Sequence, residues 1–598
     1  MNTIGLSIPD YLVIVLYFLV ILGIGWYFSR SKKNAAEFLL GGRKMSVFPI
    51  AISMLMTVFS TYSLVMGPGE IYNHGMGWSV VSWFLPYFGI VSILIFTRFF
   101  FKINAFTPFE YLSYRYDSKV RLLAAACNCY SQILYAGMVL LTSSKIFEAA
   151  AGWPCWVTIL LVGGISIIYT RAGGLRAVVW TDVTQFFVML VGMLALVISL
   201  CRLNPGGASG AVSYAFSHGH GLNELTNPEY YTLWPYVRLT LWALLITQLW
   251  GALGTGTGQM TVQRLMATGS MKQAVKAQLF SAMLTTPTQI LLSFIGLATY
   301  SYYSQFPDPQ VTQGDLALFR FVATKLPPLM PGVFVAAALA AAMSTLSSIF
   351  NGDAAVWLRE FYLPYRKKDA TDKEQVLFSQ FATLMIGVLS VTFALLQYIS
   401  SIWLKQTMVE VSMIFGVFMI SAGLDTYIFA IFSRKASNIS FWSMLAFGYG
   451  FKVSMLLWYM LSKRGEVLFA STGSPGLAGP ISIAMPLIPL AVFAVILLMS
   501  LFLKGGPVKL AFRIASLLPL SLACGWGVWY AFSHTGDPST PKVLSFTWAG
   551  VPGIFVNILF MLGWHWLGPE VPRERYAGLI WGHINERNSN ISQGEQTP

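Results

Sequence analysis

The chain has 598 residues, of which 56% are hydrophobic and only 10% are charged, and its formal net charge at pH 7 is +14. Soluble domains carry about 25% charged residues, so this composition excludes a string of soluble domains and a disordered chain. It predicts a polytopic protein of the cell membrane, whose positive charge reflects basic residues on the cytosolic side rather than nucleic-acid binding.

Apolar runs long enough to cross a bilayer, about 20 residues each, recur along almost the whole chain. With the N-terminus outside and the C-terminus inside, roughly three quarters of the Lys and Arg residues fall in cytosolic loops, and a shift of one helix destroys this asymmetry. We therefore predict an all-α fold of about fifteen transmembrane helices, near residues 9–28, 46–66, 77–101, 120–144, 152–171, 177–201, 235–257, 276–302, 330–358, 376–398, 408–432, 440–462, 480–503, 510–532 and 545–566.

The second and seventh predicted helices show signs of a break within the membrane. The second carries several hydroxyl residues and ends in Gly67-Pro68-Gly69, and the seventh ends in WGALGTGTGQ. Each glycine weakens a helix by about 1 kcal/mol relative to alanine. Close packing through small residues is the alternative for either segment alone. Because the two lie five helices apart, the offset of a five-helix inverted repeat, we favour broken helices that form a transport site.

The sixth predicted helix contains Asp182, in the stretch RAVVWTDVTQFF, close to its cytosolic side. Burying an uncompensated charge is costly, so an ionisable residue within a span is a candidate functional residue. The alternative is a carboxylate that reaches the water at the membrane surface. We favour a functional role.

The ninth predicted helix brings hydroxyl groups together on one face. Ala341, Ser344, Thr345 and Ser348 are spaced i, i+3, i+4 and i+7, and Ser347 lies at the flank. Such hydroxyls often bond only to the carbonyls of their own helix. Several oxygen ligands beside small alanines also suit a hard cation, and we favour that interpretation.

Enzyme motifs are missing from this sequence. It contains no HExxH and no GxSxG, its predicted transmembrane helices contain no pair of carboxylates at helical spacing, and most of its histidines lie in predicted loops. Membrane-embedded catalysis needs acid–base or metal-binding residues clustered at one place. We expect a transporter and not an enzyme.

The chain resembles the sodium:solute symporter family over about residues 10–435. The resemblance rests on the stretches GGRKMSVFPIAISM, GPGEIYNHG, GGISIIYTRAGGLRAVVWTDVTQFF, GQMTVQRLMA and LPPLMPGVFVAAALAAAMSTLSSIFNGDAAV. It implies a LeuT-like fold of two inverted five-helix repeats, with one helix before them and about four after. The stretches ILYAGMV and GPGEIYNHG resemble the monocarboxylate, iodide and multivitamin branch.

The resemblance also implies the organisation of the chain. A leading helix and the first cytosolic loop occupy 1–45, and the inverted-repeat transport core occupies 46–435. Additional transmembrane helices occupy 436–569, and a polar cytosolic tail occupies 570–598.

The resemblance implies two sites for sodium, the co-transported ion, and no organic cofactor. The first combines two backbone carbonyls with a short stretch of the ninth helix, at Met56, Phe59, Ala341, Ser344 and Thr345. The second uses an aspartate and nearby hydroxyls, at Asp182, Ser344, Ser347 and Ser348. We therefore expect two sodium ions per transport cycle.

Substrate positions follow from the resemblance alone. The positions that match the ligand-binding residues of the sugar carriers are Ser63, Ser82 and Gly258, and Tyr135 matches an arginine of the sialic-acid carriers. Ser60 and Gln259 complete the substrate candidates. Gln259, Gln263 and Arg264 match a family motif that follows the second broken helix, and a structural role is favoured for this motif.

These features predict sodium-coupled symport of a small organic solute, such as a monocarboxylate or similar anion, into the cell by alternating access. The partners are the solute, sodium ions and the lipid bilayer, with no nucleic acid. A sodium-coupled carrier of sugars or polyols is one alternative. A sodium-binding membrane sensor that moves no solute is another.

Overall fold

The computed structural model describes residues 6–30, 34–234, 236–311, 314–404, 423–448, 450–451, 490–499, 506–533, 545, 548 and 551–584. Within these residues the chain is helical and contains no strand. The first ten helices are α1 (Ile8–Ser29), α2 (Ala35–Leu40), α3 (Val47–Val58), α4 (Thr61–His74), α5 (Gly77–Ser92), α6 (Arg98–Lys102), α7 (Phe109–Arg115), α8 (Ser118–Ala151), α9 (Cys155–Leu203) and α10 (Gly207–Ser217). Further helices are α11 (Leu241–Gly254), α12 (Gln259–Ala267), α13 (Met271–Gln305), α14 (Gly314–Lys325), α15 (Met330–Val356), α16 (Leu363–Tyr365), α17 (Asp372–Leu404), α18 (Leu424–Phe432), α19 (Leu490–Met499), α20 (Gly506–Ser533) and α21 (Val551–Leu567). Residues 438–448 are helical as well.

Several of these helices can cross a membrane. In the described part of the chain seven are long and apolar enough, or eight when the bent pair Ala35–Arg43 and Val47–Val58 forms one span. The helices predicted near 408–432, 440–462, 480–503 and 545–566 lie partly outside the described residues. The structure therefore shows an all-helical, multi-pass membrane protein.

The longest helix, α9, consists of two spans joined at a kink. Its 49 residues would measure on the order of 70 Å, more than twice the hydrocarbon core of a bilayer. At Gly174 the backbone takes φ 64° and ψ −162°, which interrupts the helix. The kink falls between the two helices predicted near 152–171 and 177–201.

In the described part of the chain, the second and seventh predicted helices are both broken, and one of the two breaks is not where the sequence predicted it. The seventh predicted helix breaks in its glycine-rich stretch, since α11 ends at Gly254, α12 begins at Gln259, and Gly258 between them is extended. The second breaks at Phe59 and Ser60, both of which have extended backbone. The prediction of a break at Gly67-Pro68-Gly69 is wrong, because α4 continues through this stretch to His74.

The helix α15 lies at the centre of the described core. Its side chains are buried from Pro331 to Val356, with Val333 as the exception, against α1, α3, α8, α9 and α17. Small alanines allow these neighbours to approach closely, as is common between membrane helices. Asp10 of α1 accepts a hydrogen bond from the Gly332 amide, 2.9 Å away, and so caps the start of α15. This position encloses the hydroxyl-rich face of α15 in protein.

The segment 571–584, the first part of the predicted polar tail, packs against the helical core. Leu579 and Ile580 are buried. Arg115 at the end of α7 is fully buried and donates hydrogen bonds to the carbonyls of Ala430, 2.7 Å away, and Arg575, 2.9 Å away. The arginine thereby holds this segment against the end of α18.

Replacing Arg115 with methionine is expected to destabilise the protein by about 2–4 kcal/mol, since buried carbonyls lose their donor. Thermal unfolding in detergent measures the loss, and limited proteolysis tests whether 571–584 becomes accessible. Lys119→Met, an exposed cation four residues away, is the matched control and should leave both unchanged. Equal unfolding temperatures for the two variants would contradict this role of Arg115.

Candidate functional site

The oxygens of the first predicted sodium site meet where α3 ends beside α15. Ser344 Oγ donates to the Met56 carbonyl and to the Ala341 carbonyl, each 3.0 Å away. Thr345 Oγ1 lies 3.3 Å from the same Ala341 carbonyl. All four residues are fully buried. The structure therefore brings together two carbonyl and two hydroxyl oxygens, the kind of ligand that a hard cation such as sodium requires.

The break in the second predicted helix explains why a backbone oxygen is present there. A helix leaves the carbonyls of its last turn without intrahelical partners. Because α3 ends at Val58, Met56 lies in this last turn, and its carbonyl accepts from Ser344 on another helix. Phe59 is buried at the break itself. Side-chain identity at Met56 and Phe59 is therefore no obstacle to cation binding.

The second group of predicted ligands surrounds Asp182, where the structure also places an arginine. Asp182 Oδ2 accepts from Ser53 Oγ at 2.5 Å and from Arg264 Nη2 at 3.3 Å. Arg264 also donates to Ser53 Oγ at 2.7 Å and to Ser348 Oγ at 2.5 Å. Arg264 and Asp182 are fully buried. A guanidinium therefore binds the Asp182 and Ser348 oxygens that the sequence assigned to sodium.

Ser347, the remaining predicted ligand of this second group, bonds elsewhere. Its hydroxyl donates to the Ser344 carbonyl of its own helix at 3.1 Å. The Tyr169 hydroxyl on α9 donates to the Met343 carbonyl of α15, 2.9 Å away. Tyr169 thus helps to join α9 to α15.

A cavity of about 520 Å³ lies between α4, α5, α11 and α13, next to the break in the second predicted helix. Of the predicted substrate residues, Ser63 and Ser82 line it. Ser60 and Tyr135 lie outside its lining. Gly258 and Gln259 also lie outside the lining.

Gly258 forms the extended link between α11 and α12. The Gln259 side chain points towards α15, where its Nε2 donates to the Gly352 carbonyl at 3.3 Å. The structure therefore separates the predicted substrate residues into two in the cavity and four elsewhere.

Polar residues that the sequence analysis overlooked also line this cavity. Gln278, Ser281, Thr285 and Gln289 form one stripe on α13. Their spacing of i, i+3, i+7 and i+11 places them on one helix face, a signal present in the sequence. Gln248 on α11 faces them and donates to Ser82 Oγ at 3.3 Å.

An ion pair lies in the wall of the same cavity. Arg238, just before α11, donates from Nη2 to both carboxylate oxygens of Glu70 on α4, at 2.7 and 2.8 Å. Both side chains are partly exposed. Because the two charges cancel, the lining is overall neutral and offers amide, hydroxyl and guanidinium donors to a ligand.

Known membrane transporters are similar to this chain in sequence. The sequence profile of the sodium:solute symporter family matches residues 38–447. The sodium-dependent multivitamin transporter of Oryctolagus cuniculus is 31% identical over 412 residues, which cover 66% of this chain and 62% of that protein. The sodium-coupled monocarboxylate transporter 1 of Homo sapiens is 28% identical over 422 residues, covering 69% of this chain and 68% of that protein. The match to the multivitamin transporter thus spans less than two thirds of its length.

A solved structure of similar fold is that of a Na⁺-coupled sialic acid symporter in a substrate-bound outward-open state. It superimposes with a TM-score of 0.65 at 21% identity and covers 87% of this chain and 98% of that one. At this identity the likeness shows the fold alone. The multivitamin and monocarboxylate transporters confirm the branch that the sequence motifs predicted.

Proposed function

Since this chain belongs to the sodium:solute symporter family, we propose that it is a secondary active transporter that couples the inward movement of sodium to that of a small organic solute. The observation that carries the proposal is the cluster of buried oxygens formed by Met56, Ala341, Ser344 and Thr345 at a helix break, beside a cavity whose lining includes amide and hydroxyl groups. Solute and cation would bind next to each other at this break.

Sodium bound at this cluster would connect α3 to α15. Such a cation stabilises the conformation in which both helices contribute ligands, and its release removes that preference. For each net positive charge that a transport cycle moves inward, membrane voltage adds about 2.3 kcal/mol per 100 mV to the driving force. The first sodium site therefore couples the ion gradient to the conformation of the solute cavity.

A monocarboxylate or a carboxylate-bearing vitamin is the solute that we propose. The names of the two relatives support this class. The cavity supports it too, because the amides of Gln248 and Gln278 and the guanidinium of Arg238 are donors suited to a carboxylate. A sugar or polyol is the competing solute, since amides and hydroxyls also bind hydroxyl groups.

For the architecture we propose the LeuT-like arrangement of two inverted five-helix repeats within about fifteen helices, with the N-terminus outside and the C-terminus inside. The broken pairs α3/α4 and α11/α12 support it, because they would be the first helices of the two repeats. Labelling single introduced cysteines with a membrane-impermeant reagent tests the orientation of each loop.

Uptake into proteoliposomes tests the proposed transport activity. An inward sodium gradient should drive accumulation of a labelled small monocarboxylate such as lactate above its external concentration, whereas a potassium gradient should not. Sugars and vitamins serve as competing solutes that define the class. Sodium binding without any solute accumulation would favour the sensor alternative and contradict symport.

Replacing Gln278 with alanine is expected to raise the solute KM about 2- to 10-fold, because the cavity loses a hydrogen-bond donor worth about 0.5–1.5 kcal/mol. Initial uptake rates at saturating sodium measure the change. Gln273→Ala, on the same helix but exposed, is the matched control and should keep the KM of the unmodified protein. Equal KM values for the two variants would place the solute outside this cavity.

A further inference from the structure

The guanidinium of Arg264 binds the oxygens that the sequence analysis assigned to a second sodium ion. It contacts the Asp182 carboxylate and the hydroxyls of Ser53 and Ser348, which come from three different helices. Arg264 is carried by α12, directly after the second helix break. A positively charged group belonging to the protein itself thus lies where a second cation was expected.

The charge balance makes sodium and the Arg264 guanidinium alternatives at this position. Arg264 and Asp182 together are neutral, and both are fully buried. A sodium ion added beside the intact pair would leave an uncompensated positive charge among buried, neutral side chains, which is strongly unfavourable. Neutrality is kept when either cation is present, but not when both are.

Asp182 retains a free coordination position. Its Oδ1 atom is buried and has no hydrogen-bond partner among the described residues. Its Oδ2 atom is shared between Ser53 and Arg264. Removing the guanidinium would leave one carboxylate and two hydroxyls at the same position, which is a ligand set that suits sodium.

We propose that Arg264 acts as a built-in cation at Asp182 and Ser348, so that the protein binds one sodium ion per cycle, at the Ser344–Thr345 site, instead of two. This inference depends on the proposed function, because it assumes that the first site binds sodium. With a monoanionic solute, one sodium ion makes transport electroneutral, whereas two would move one positive charge per cycle. Arg264 is then the residue that sets the stoichiometry.

Equilibrium binding of radioactive sodium to the purified full-length chain in detergent tests the proposal without requiring transport. The unmodified protein should bind one ion, and Arg264→Gln should bind two. Arg264→Lys, which keeps the positive charge, should bind one, and so should Asp182→Asn combined with Arg264→Gln. Arg176→Gln breaks the partly exposed pair of Arg176 with Glu37, 2.9 Å apart, and as the matched control should also bind one.

The possible results separate this inference from the proposed function. Two ions bound by the unmodified protein would overturn the inference and leave symport intact. No sodium bound by the unmodified protein would contradict the proposed function itself. One ion bound by a folded Arg264→Gln variant would also overturn the inference. If this variant does not fold, the number of sodium ions bound by the unmodified protein and by Asp182→Asn tests the inference instead. Each of these two proteins should bind one ion, and two ions bound by the unmodified protein would overturn the inference.

Discussion

Alanine at Ser344 or Thr345 is expected to raise the sodium concentration for half-maximal uptake by about 5- to 150-fold. Each substitution removes one oxygen from a small buried cluster, a loss on the order of 1–3 kcal/mol. Ser344 should have the larger effect, because its hydroxyl contacts both the Met56 carbonyl and the Ala341 carbonyl, whereas that of Thr345 lies near the latter alone. Sodium titrations of initial uptake in proteoliposomes measure both values.

Thr392→Ala is the matched control for these two variants. Its hydroxyl lies on α17, is exposed, and donates to the Val388 carbonyl of its own helix at 2.9 Å. The sodium dependence of this variant should match that of the unmodified protein. If Ser344→Ala and Thr345→Ala behaved like Thr392→Ala, their hydroxyls would serve only their own helix, and the first sodium site would lie elsewhere.

Alanine at Gly174 is expected to lower the free energy of unfolding by about 3–5 kcal/mol, which combines backbone strain with overpacking. The positive φ of 64° is unfavourable for any residue with a Cβ atom. An added Cβ would also lie 2.5 Å from the Phe38 carbonyl oxygen, which belongs to the backbone and cannot move aside easily. Thermal unfolding of purified protein and its yield in membranes measure the loss.

Gly164→Ala provides the comparison within the same helix α9. A Cβ there meets no atom within 4 Å, and the backbone is helical, so alanine should be neutral or stabilise by up to about 1 kcal/mol. A Gly174→Ala protein as stable as Gly164→Ala would show that the kink tolerates a side chain. The TRAGGLRAVV motif would then need another explanation than the geometry of this bend.

Features that depend on a single helix could be predicted from local sequence patterns. The hydroxyl face of α15 follows from residue spacing, and the kink between the two halves of α9 follows from two apolar runs separated by glycines. The polar stripe from Gln278 to Gln289 could have been found in the same way. These features depend on helical periodicity, which the sequence displays directly.

Features that depend on contacts between distant segments could not be predicted. The break at Phe59 and Ser60 involves residues without any strong tendency to end a helix, and it occurs where a carbonyl of α3 meets Ser344. Pro68 and Gly69, which do have that tendency, remain helical within α4. The pairing of Arg264 with Asp182 joins positions 82 residues apart, and only the folded chain brings them together.

The enclosure of α15 also has a consequence for how the chain is made. In the most apolar stretch of this helix, 94% of the residues are buried, against 28–44% for the other candidate spans. One of the helices that cover it, α17, follows it in the sequence and leaves the ribosome later. Until α17 has been synthesised, part of α15 faces lipid rather than protein. A nascent chain that stops between the two presents this uncovered surface to the quality-control machinery of the membrane.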